Sequence, residues 1–274
     1  MARISGAALR RSGLISVMPD FDDPAFLGDT WAQAYTDLTF GPDPAPAVEF
    51  LAALADGMGR VLELGIGGGR VALPLARCGI KVEGIEASQA VLDRLRATPG
   101  GDSIPVTFGD MADVPVDGPF HLVYLVWDGL YHLPSQERQV NCFRNVARAL
   151  ARGGVFVIEC HVPALALFDR GVEVDAVTEG RATITLTRHD PVAQRIYTQR
   201  VRFLNDDTVR LFPVAMRYCW PSELDLMAEL AGLRLRERYA DWSRAPFGAA
   251  SSGHVSVYEL PDLEASPRRH TPTS

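Results

Sequence analysis

The sequence is poor in lysine, and this affects how its charges are interpreted. Lys81 is the one lysine, so arginine supplies nearly all of the 27 basic residues. Clusters of arginine therefore carry less functional weight than usual in this chain. The 34 acidic residues bring the net charge to −7, and this negative balance disfavours nucleic acid or an anionic membrane as a partner.

The sequence also lacks long apolar runs and close cysteine pairs. No apolar segment approaches the roughly 20 residues that span a bilayer, and the apolar patch before Met18 is too short for a secretory signal. The four cysteines are far apart, which argues against zinc or disulfide motifs. We therefore expect a cytoplasmic protein with no metal, and Met18 is an alternative start of translation.

A glycine-rich segment follows the first predicted strand. Val61–Leu64 is typical of a buried strand, and Gly65, Gly67 and Gly69 separate it from a predicted helix. Glycine lets the backbone approach a ligand closely, and a strand, a glycine turn and a helix start together form a nucleotide-sized site. The spacing differs from the G-x-G-x-x-G of dinucleotide sites. Glu63 precedes the turn, where a carboxylate disfavours a pyrophosphate and suits a ligand with an amino group.

Two further predicted strands end in acidic residues. The strand over residues 81–85 is followed by Glu86, about twenty residues after the glycine turn. At this position a carboxylate can accept hydrogen bonds from both ribose hydroxyls of a bound nucleoside. The strand over residues 106–108 is followed by Gly109 and Asp110. In order and spacing, these motifs resemble those of class I S-adenosylmethionine-dependent methyltransferases, and the resemblance extends from about Phe21 to Leu260.

The resemblance implies a role for each matching residue. Glu63 is expected to bind the donor's amino group, Glu86 its ribose and Asp110 its adenine amino group. Arg70 is a candidate partner of the donor carboxylate, and the N-terminal segment with Trp31 and Tyr35 is expected to fold over the methionine end. The predicted donor-binding residues are Tyr35, Glu63, Gly65, Gly67, Gly69, Arg70, Glu86, Ala87, Asp110, Met111, Val126 and Trp127.

The predicted elements indicate the fold. Strand and helix alternate five times, which implies a parallel sheet with right-handed crossovers. We expect a Rossmann-like α/β fold in which a seven-stranded, mostly parallel sheet carries helices on both faces. Three strands with alternating polarity, at residues 182–188, 195–204 and 209–218, predict an antiparallel lid. The expected organisation is a flexible leader (1–20), a methyltransferase domain (21–260) with the lid inserted at 162–218, and a disordered tail (261–274).

Methyl transfer requires a closed site and, for some acceptors, a base. His132 and His161 follow the fourth and fifth predicted strands, and a histidine pKa suits proton abstraction near neutrality. Further candidates are Tyr131, Asp128 and Glu173. An acceptor amine can also lose its proton before attack, in which case no base is needed.

The acceptor class follows from the predicted lid, which favours an enclosed small molecule, methylated on N, O or C, over a protein or nucleic-acid surface. The order of the predicted elements, with a three-stranded lid after the fifth strand, resembles that of bacterial methyltransferases of specialised metabolism. The chain could also form a homo-oligomer. One alternative is carbon methylation of an isoprenyl diphosphate through a carbocation, which alone would call for Mg²⁺. Two alternatives from other classes are a nicotinamide-dependent oxidoreductase and a non-catalytic donor-binding protein.

Overall fold

The computed structural model describes residues 20–32, 41–55, 57, 59–165, 172–178, 181–203 and 209–262. Tyr35, nearly all of the predicted leader and most of the predicted tail lie outside these ranges. Within them, no helix has the length and apolar character needed to cross a membrane.

Seven strands form the main sheet. They are β1 (Val61–Leu64), β2 (Val82–Glu86), β3 (Val106–Phe108), β4 (Phe120–Leu125), β5 (Leu150–His161), β10 (Arg234–Tyr239) and β11 (Gly253–Glu259). Their order is β10-β11-β5-β4-β1-β2-β3. The pairs among β1 to β5 are parallel, whereas β11 is antiparallel to both neighbours. The predicted fold class is confirmed, and the carboxyl ends of β1, β2 and β4 meet at one edge.

Six α-helices lie in the described part of the chain. They are α1 (Phe26–Trp31), α2 (Ala45–Ala55), α3 (Ala72–Arg77), α4 (Gln89–Ala97), α5 (Gln136–Ala149) and α6 (Pro221–Leu230). Serine is a favoured N-cap residue, and Ser88 caps α4, because its hydroxyl accepts a 3.2 Å hydrogen bond from the Val91 N–H at the start of that helix. Two apolar clusters fill the two sides of the sheet, one packed with α5 and α6 and the other with α2, α3 and α4.

A second sheet, the lid sheet, has four antiparallel strands in sequence order. They are β6 (Val172–Thr178), β7 (Arg181–Asp190), β8 (Arg195–Phe203) and β9 (Val209–Arg217). The sequence predicted three of them and missed β6. The pairing register of β6 with β7 shifts between Val174 and Ala176, which marks a β-bulge. Residues 172–176 alternate between apolar and polar, a pattern typical of a strand.

The start of β5 contains two glycines. A glycine pair such as Gly153–Gly154 is typical of a helix end, but α5 ends at Ala149 and β5 begins at Leu150. Gly154 has no room for a side chain, since an added Cβ would lie 2.8 Å from the Ala151 carbonyl oxygen. These glycines therefore permit close backbone packing inside an irregular strand.

Candidate functional site

The glycine turn after β1 leaves open space on one side and packs tightly on the other. Gly65, Gly67 and Gly69 all have positive φ, at 61°, 57° and 77°, which favours glycine. A Cβ on Gly67 would meet no atom closer than 3.9 Å, whereas a Cβ on Gly69 would lie 2.6 Å from Leu95. Gly67 therefore keeps space free above the sheet edge, and Gly69 brings the turn against α4.

Glu86, the last residue of β2, contacts the glycine turn through its carboxylate. Its carboxylate accepts hydrogen bonds from the backbone N–H groups of Gly67 (3.0 Å), Ala87 (3.1 Å) and Ser88 (2.9 Å). Burial raises the pKa of Glu86, and these three donors oppose that rise. A carboxylate offers about four lone-pair positions, so Glu86 can still accept a hydrogen bond from a ligand hydroxyl.

Asp110 and Met111 follow β3 at the same edge. Asp110 accepts a 2.7 Å hydrogen bond from the Ala112 N–H and forms an ion pair with Arg138 of α5. The Met111 sulfur lies 3.5 Å from the Cβ position of Gly65. Both residues line the cavity described below, together with the predicted residues Ala87, Val126 and Trp127.

Glu63, Gly69 and Arg70 are not among the residues that line this cavity. Glu63 is only 2% exposed and lies under the turn. Burial raises its pKa to about 8, although the Tyr124 hydroxyl, the Arg70 charge and the Ala72 N–H oppose this. Arg70 donates a 2.9 Å hydrogen bond to the Pro42 carbonyl, and its guanidinium lies 5.3 Å from the Trp127 ring centroid. Glu63 and Arg70 thus flank the turn from outside the cavity.

The cavity lies between the sheet edge, α1 and the lid sheet, with a volume of about 460 Å³. This is within the roughly 300–1,000 Å³ typical of small-molecule sites. One face of the lid sheet lines the cavity with Thr185, Thr198, Arg200, Phe212, Val214 and Met216. Ala215, which lies between two of them on β9, also lines the cavity.

A strained dipeptide follows β4 in the cavity wall. Trp127 and Asp128 have φ values of 53° and 58°, a region that non-glycine residues rarely occupy. Glu159 of β5 holds both of them, because its carboxylate accepts from the Trp127 N–H at 2.7 Å and its carbonyl from the Asp128 N–H at 3.2 Å. Strain fixed in this way is typical of functional positions. The sequence did not single out Glu159.

Asp128 connects the cavity to His161. Asp128 lines the cavity, and its carboxylate contacts the His161 Nδ1 at 2.5 Å and accepts from the His161 N–H at 2.7 Å. The hydrogen bond to Asp128 raises the pKa of His161. The His161 side chain is 65% exposed and is not among the cavity residues. The predicted base His161 therefore lies behind Asp128, on the solvent side.

His132 lies in the cavity wall. Burial lowers the pKa of His132, while the Asp128 charge and a hydrogen bond to the backbone of Ala215 oppose this. The ring is consequently neutral near pH 7. Of the two predicted histidines, His132 is the one that a molecule in the cavity can reach.

Tyr131 is placed away from the cavity, against the expectation that it could act as a base. Its hydroxyl lies 2.7 Å from the carbonyl oxygen of His161 and 3.0 Å from that of Cys219, so its one proton is shared between the two acceptors. Burial raises the pKa of Tyr131 far above the ordinary value. Tyr131 therefore links His161, which precedes the lid sheet in the chain, to Cys219, which follows it, and does not transfer a proton. Glu173 lies on β6, paired with Thr185 of β7, and its side chain is outside the described part of the structure.

No group of three His, Cys, Asp or Glu residues in the described ranges could hold a metal ion. The residues that sequence reasoning missed are Glu159, which holds Trp127 and Asp128, Arg138, which pairs with Asp110, and Arg200 of the lid sheet. Their positions depend on tertiary contacts, for which the sequence pattern gives no signal.

Comparison with known proteins relates this geometry to a family. Residues 61–154 match the model of a methyltransferase domain. The structure of the CcbJ methyltransferase from Streptomyces caelestis is 36% identical, with a TM-score of 0.81, over 88% of this chain and 100% of that one. The cypemycin N-terminal methyltransferase of a Streptomyces species is 28% identical over 247 residues, which is 86% of this chain and 98% of that protein.

A more distant structure shares the fold. S-adenosylmethionine-bound CalS10, an amino pentose methyltransferase from Micromonospora echinaspora, has a TM-score of 0.62 at 20% identity, over 83% of this chain and 95% of that one. The identity to the CcbJ methyltransferase extends over nearly the whole chain, and the glycine turn and strand-end acids lie within the matched domain. The chain therefore belongs to the class I S-adenosylmethionine-dependent methyltransferases.

Proposed function

We propose that this methyltransferase methylates the amine nitrogen of a small molecule in bacterial specialised metabolism. The observation that carries the proposal is that Asp128 and the neutral His132 lie together in the wall of one cavity between the sheet edge and the lid sheet. A carboxylate can hold an ammonium group, and a neutral imidazole can take its proton. Both groups follow β4, at the edge where the glycine turn keeps space open.

The residues at the sheet edge fit the donor. The space above Gly67 would be filled by a Cβ, so a ligand can approach the backbone there. We assign Glu86 to the ribose hydroxyls and Asp110 to the adenine amino group, with Ala87, Met111 and Val126 beside the nucleoside. Glu63 and Arg70 are assigned to the methionine end. Trp127 lies next to Arg70, and an aromatic ring beside a cation is favourable by roughly 0.5–2 kcal/mol.

The donor supplies an electrophilic methyl group on a positively charged sulfur. The protein's part is to align the acceptor, exclude water and remove a proton. Asp128 binds the protonated amine, and His132 accepts the proton that the nitrogen must lose to become a nucleophile. His161 keeps the Asp128 carboxylate oriented, because its backbone N–H and its ring nitrogen each contact one of the two carboxylate oxygens. Each oxygen has a second lone pair with which it can accept from the amine.

The relatives support nitrogen as the methylated atom. The cypemycin enzyme is named for an N-terminal amine and CalS10 for an amino pentose. Neither these names nor that of the CcbJ methyltransferase refers to an isoprenyl diphosphate, and the carbon-methylation alternative has no support. The comparisons likewise give no support to the nicotinamide-dependent oxidoreductase or to the non-catalytic alternative.

The test is methyl transfer from isotope-labelled S-adenosylmethionine to a panel of amino sugars, amino acids and short peptides. Labelled product is detected by mass spectrometry, and fragmentation locates the methyl group. Label on nitrogen supports the proposal. Label on oxygen or carbon alone, in a protein that binds the donor, contradicts it.

A further inference from the structure

The charges that line the cavity are unequal. The carboxylates in its wall belong to Asp22, Asp23, Glu86, Asp110 and Asp128. Arg200 of β8 is the one arginine among the cavity residues in the described ranges, and no lysine is among them. The donor has a net positive charge and an amine acceptor is cationic too, so the acidic wall suits both. The one carboxylate of the donor is assigned to Arg70, which leaves Arg200 without an assigned partner.

Arg200 is placed by the register of the lid sheet. It pairs with Thr185 on β7 and with Phe212 on β9, and paired residues lie on the same face. All three line the cavity, as does Thr198, two residues along β8. The Arg200 guanidinium lies 5.9 Å from the centroid of the Trp31 ring. This arrangement places a half-buried guanidinium and two threonines on the side of the cavity that the lid sheet forms.

Arg200 differs from Arg195 and Arg217, the other non-exposed arginines in the described part of the lid sheet, in lacking a carboxylate partner. Arg195 pairs with Asp22 at 3.1 Å and Arg217 with Glu223 at 2.7 Å, but no acidic group in the described ranges lies within 4.0 Å of the Arg200 guanidinium. A half-buried charge without a counter-ion is costly to the fold. A ligand that supplies the counter-ion removes that cost, and arginine binds planar oxyanions through two parallel hydrogen bonds.

We propose that Arg200 is a specificity-determining residue that binds an anionic oxygen group, a carboxylate or a phosphoryl group, on the acceptor. Anchored at the lid sheet, the acceptor directs its amine toward Asp128 and His132 at the sheet edge. The inference rests on the proposed function for the reaction itself. It adds that the acceptor carries a negative group at its other end.

The test begins with binding, which does not depend on knowing the acceptor. Protein saturated with the demethylated donor product is titrated with inorganic phosphate and, separately, with N-acetylglycine as a carboxylate probe, and binding is followed by NMR. The variants are Arg200→Gln, which removes the charge, and Arg200→Lys, which keeps it. Arg202→Gln is the matched control, because Arg202 lies on the same face two residues further along β8 but is exposed and outside the cavity.

We expect the parent protein to bind at least one probe, Arg200→Gln to bind it at least tenfold more weakly, and Arg202→Gln to bind it normally. Arg200→Lys should retain partial affinity. Which probe binds identifies a carboxylate or a phosphoryl group. Affinity for the donor product should be equal in all four proteins. If it falls in Arg200→Gln alone, or if the parent binds neither probe, the proposal is overturned, whereas the proposed amine methylation is unaffected.

With an acceptor from the amine panel, the same variants give a kinetic test. Arg200→Gln should raise KM for an acidic acceptor at least tenfold and leave kcat within about threefold. It should not change KM for the amide analogue of that acceptor. An equal loss on the acidic and amide acceptors would show that Arg200 has a structural role only.

Discussion

Tyr124 and Glu63 lie opposite each other on β4 and β1, and the Tyr124 hydroxyl donates a 2.8 Å hydrogen bond to the Glu63 carboxyl. The pair is buried directly beneath the glycine turn. Burial raises the pKa of Glu63 to about 8, so the carboxyl is mostly protonated at neutral pH. It therefore holds a proton at the place where the sequence resemblance implies that a positive amino group binds.

The first prediction concerns stability. Between pH 4.5, the ordinary value for Glu63, and its folded value of about 8, the folded chain binds this proton more tightly than the unfolded chain. The free energy of unfolding should therefore fall as the pH rises through that window. Glu63→Gln cannot titrate and should lose less stability between pH 5 and 8, as measured by urea denaturation. The exposed-carboxylate control Glu49→Gln should follow the parent, and equal slopes in all three proteins would contradict the raised pKa.

The second prediction links the same proton to donor binding. If the donor's amino group reaches Glu63, the added positive charge favours the carboxylate and a proton leaves the protein at pH 7. Calorimetric titration with S-adenosylmethionine should then give enthalpies that depend on the ionisation enthalpy of the buffer. Glu63→Gln should bind the donor more weakly and without this dependence. A parent protein with no buffer dependence would place the amino group elsewhere.

The third prediction tests the glycine turn. Gly67→Val should abolish donor binding, because the side chain occupies open space above the sheet edge and is strained at a φ of 57°. Gly79→Val is the strain-matched control, since Gly79 has a φ of 84° and open space at the end of α3, far from the cavity. Calorimetry should show no donor binding for the first variant and normal affinity for the second. Normal affinity in both would remove the turn from the donor site.

The fourth prediction concerns Glu86. Glu86→Ala should weaken donor binding by about 1.5–3 kcal/mol, as the loss of charged hydrogen bonds does. The variant should also melt at a lower temperature, because three backbone N–H groups lose their acceptor. Glu83→Ala is the control on the same strand, where the carboxylate pairs with Arg60 away from the cavity. A destabilised Glu86→Ala protein that still binds the donor with full affinity would show a structural role alone.

The sequence predicted the parts of this protein that local patterns determine. The main sheet and the strand-end positions of Glu86 and Asp110 follow from apolar runs and glycine positions. Strand β6 was missed, although residues 172–176 alternate between apolar and polar. The sequence also did not predict the direction in which Tyr131 points, which depends on tertiary contacts with His161 and Cys219. The roles of His132 and His161 could not be separated either, because which of them faces the cavity depends on how the lid sheet packs over the strand ends.

The last prediction separates the two histidines. His132→Gln should lower kcat by about 10²–10⁴-fold, the usual contribution of a positioned base. His161→Gln should have a smaller effect, since its ring contacts the outer side of Asp128. Because burial lowers the pKa of His132, the acid limb of the parent's kcat/KM profile should lie below pH 6.5. The ratio of parent activity to His132→Gln activity should decrease as the pH is lowered through that limb, because the protonated imidazole cannot accept a proton.

Taking this ratio cancels the ionisation of the acceptor amine, which affects both proteins equally. For His161 the direction is reversed. Asp128 raises the pKa of His161, so their ion pair is fully present below pH 6.5 and is lost as the pH rises through the folded value. His161→Gln should therefore destabilise the chain at pH 6 and have less effect at pH 9. If His161→Gln reduces kcat as strongly as His132→Gln does, with the same pH dependence, the proton leaves through Asp128 and His161 instead of through His132.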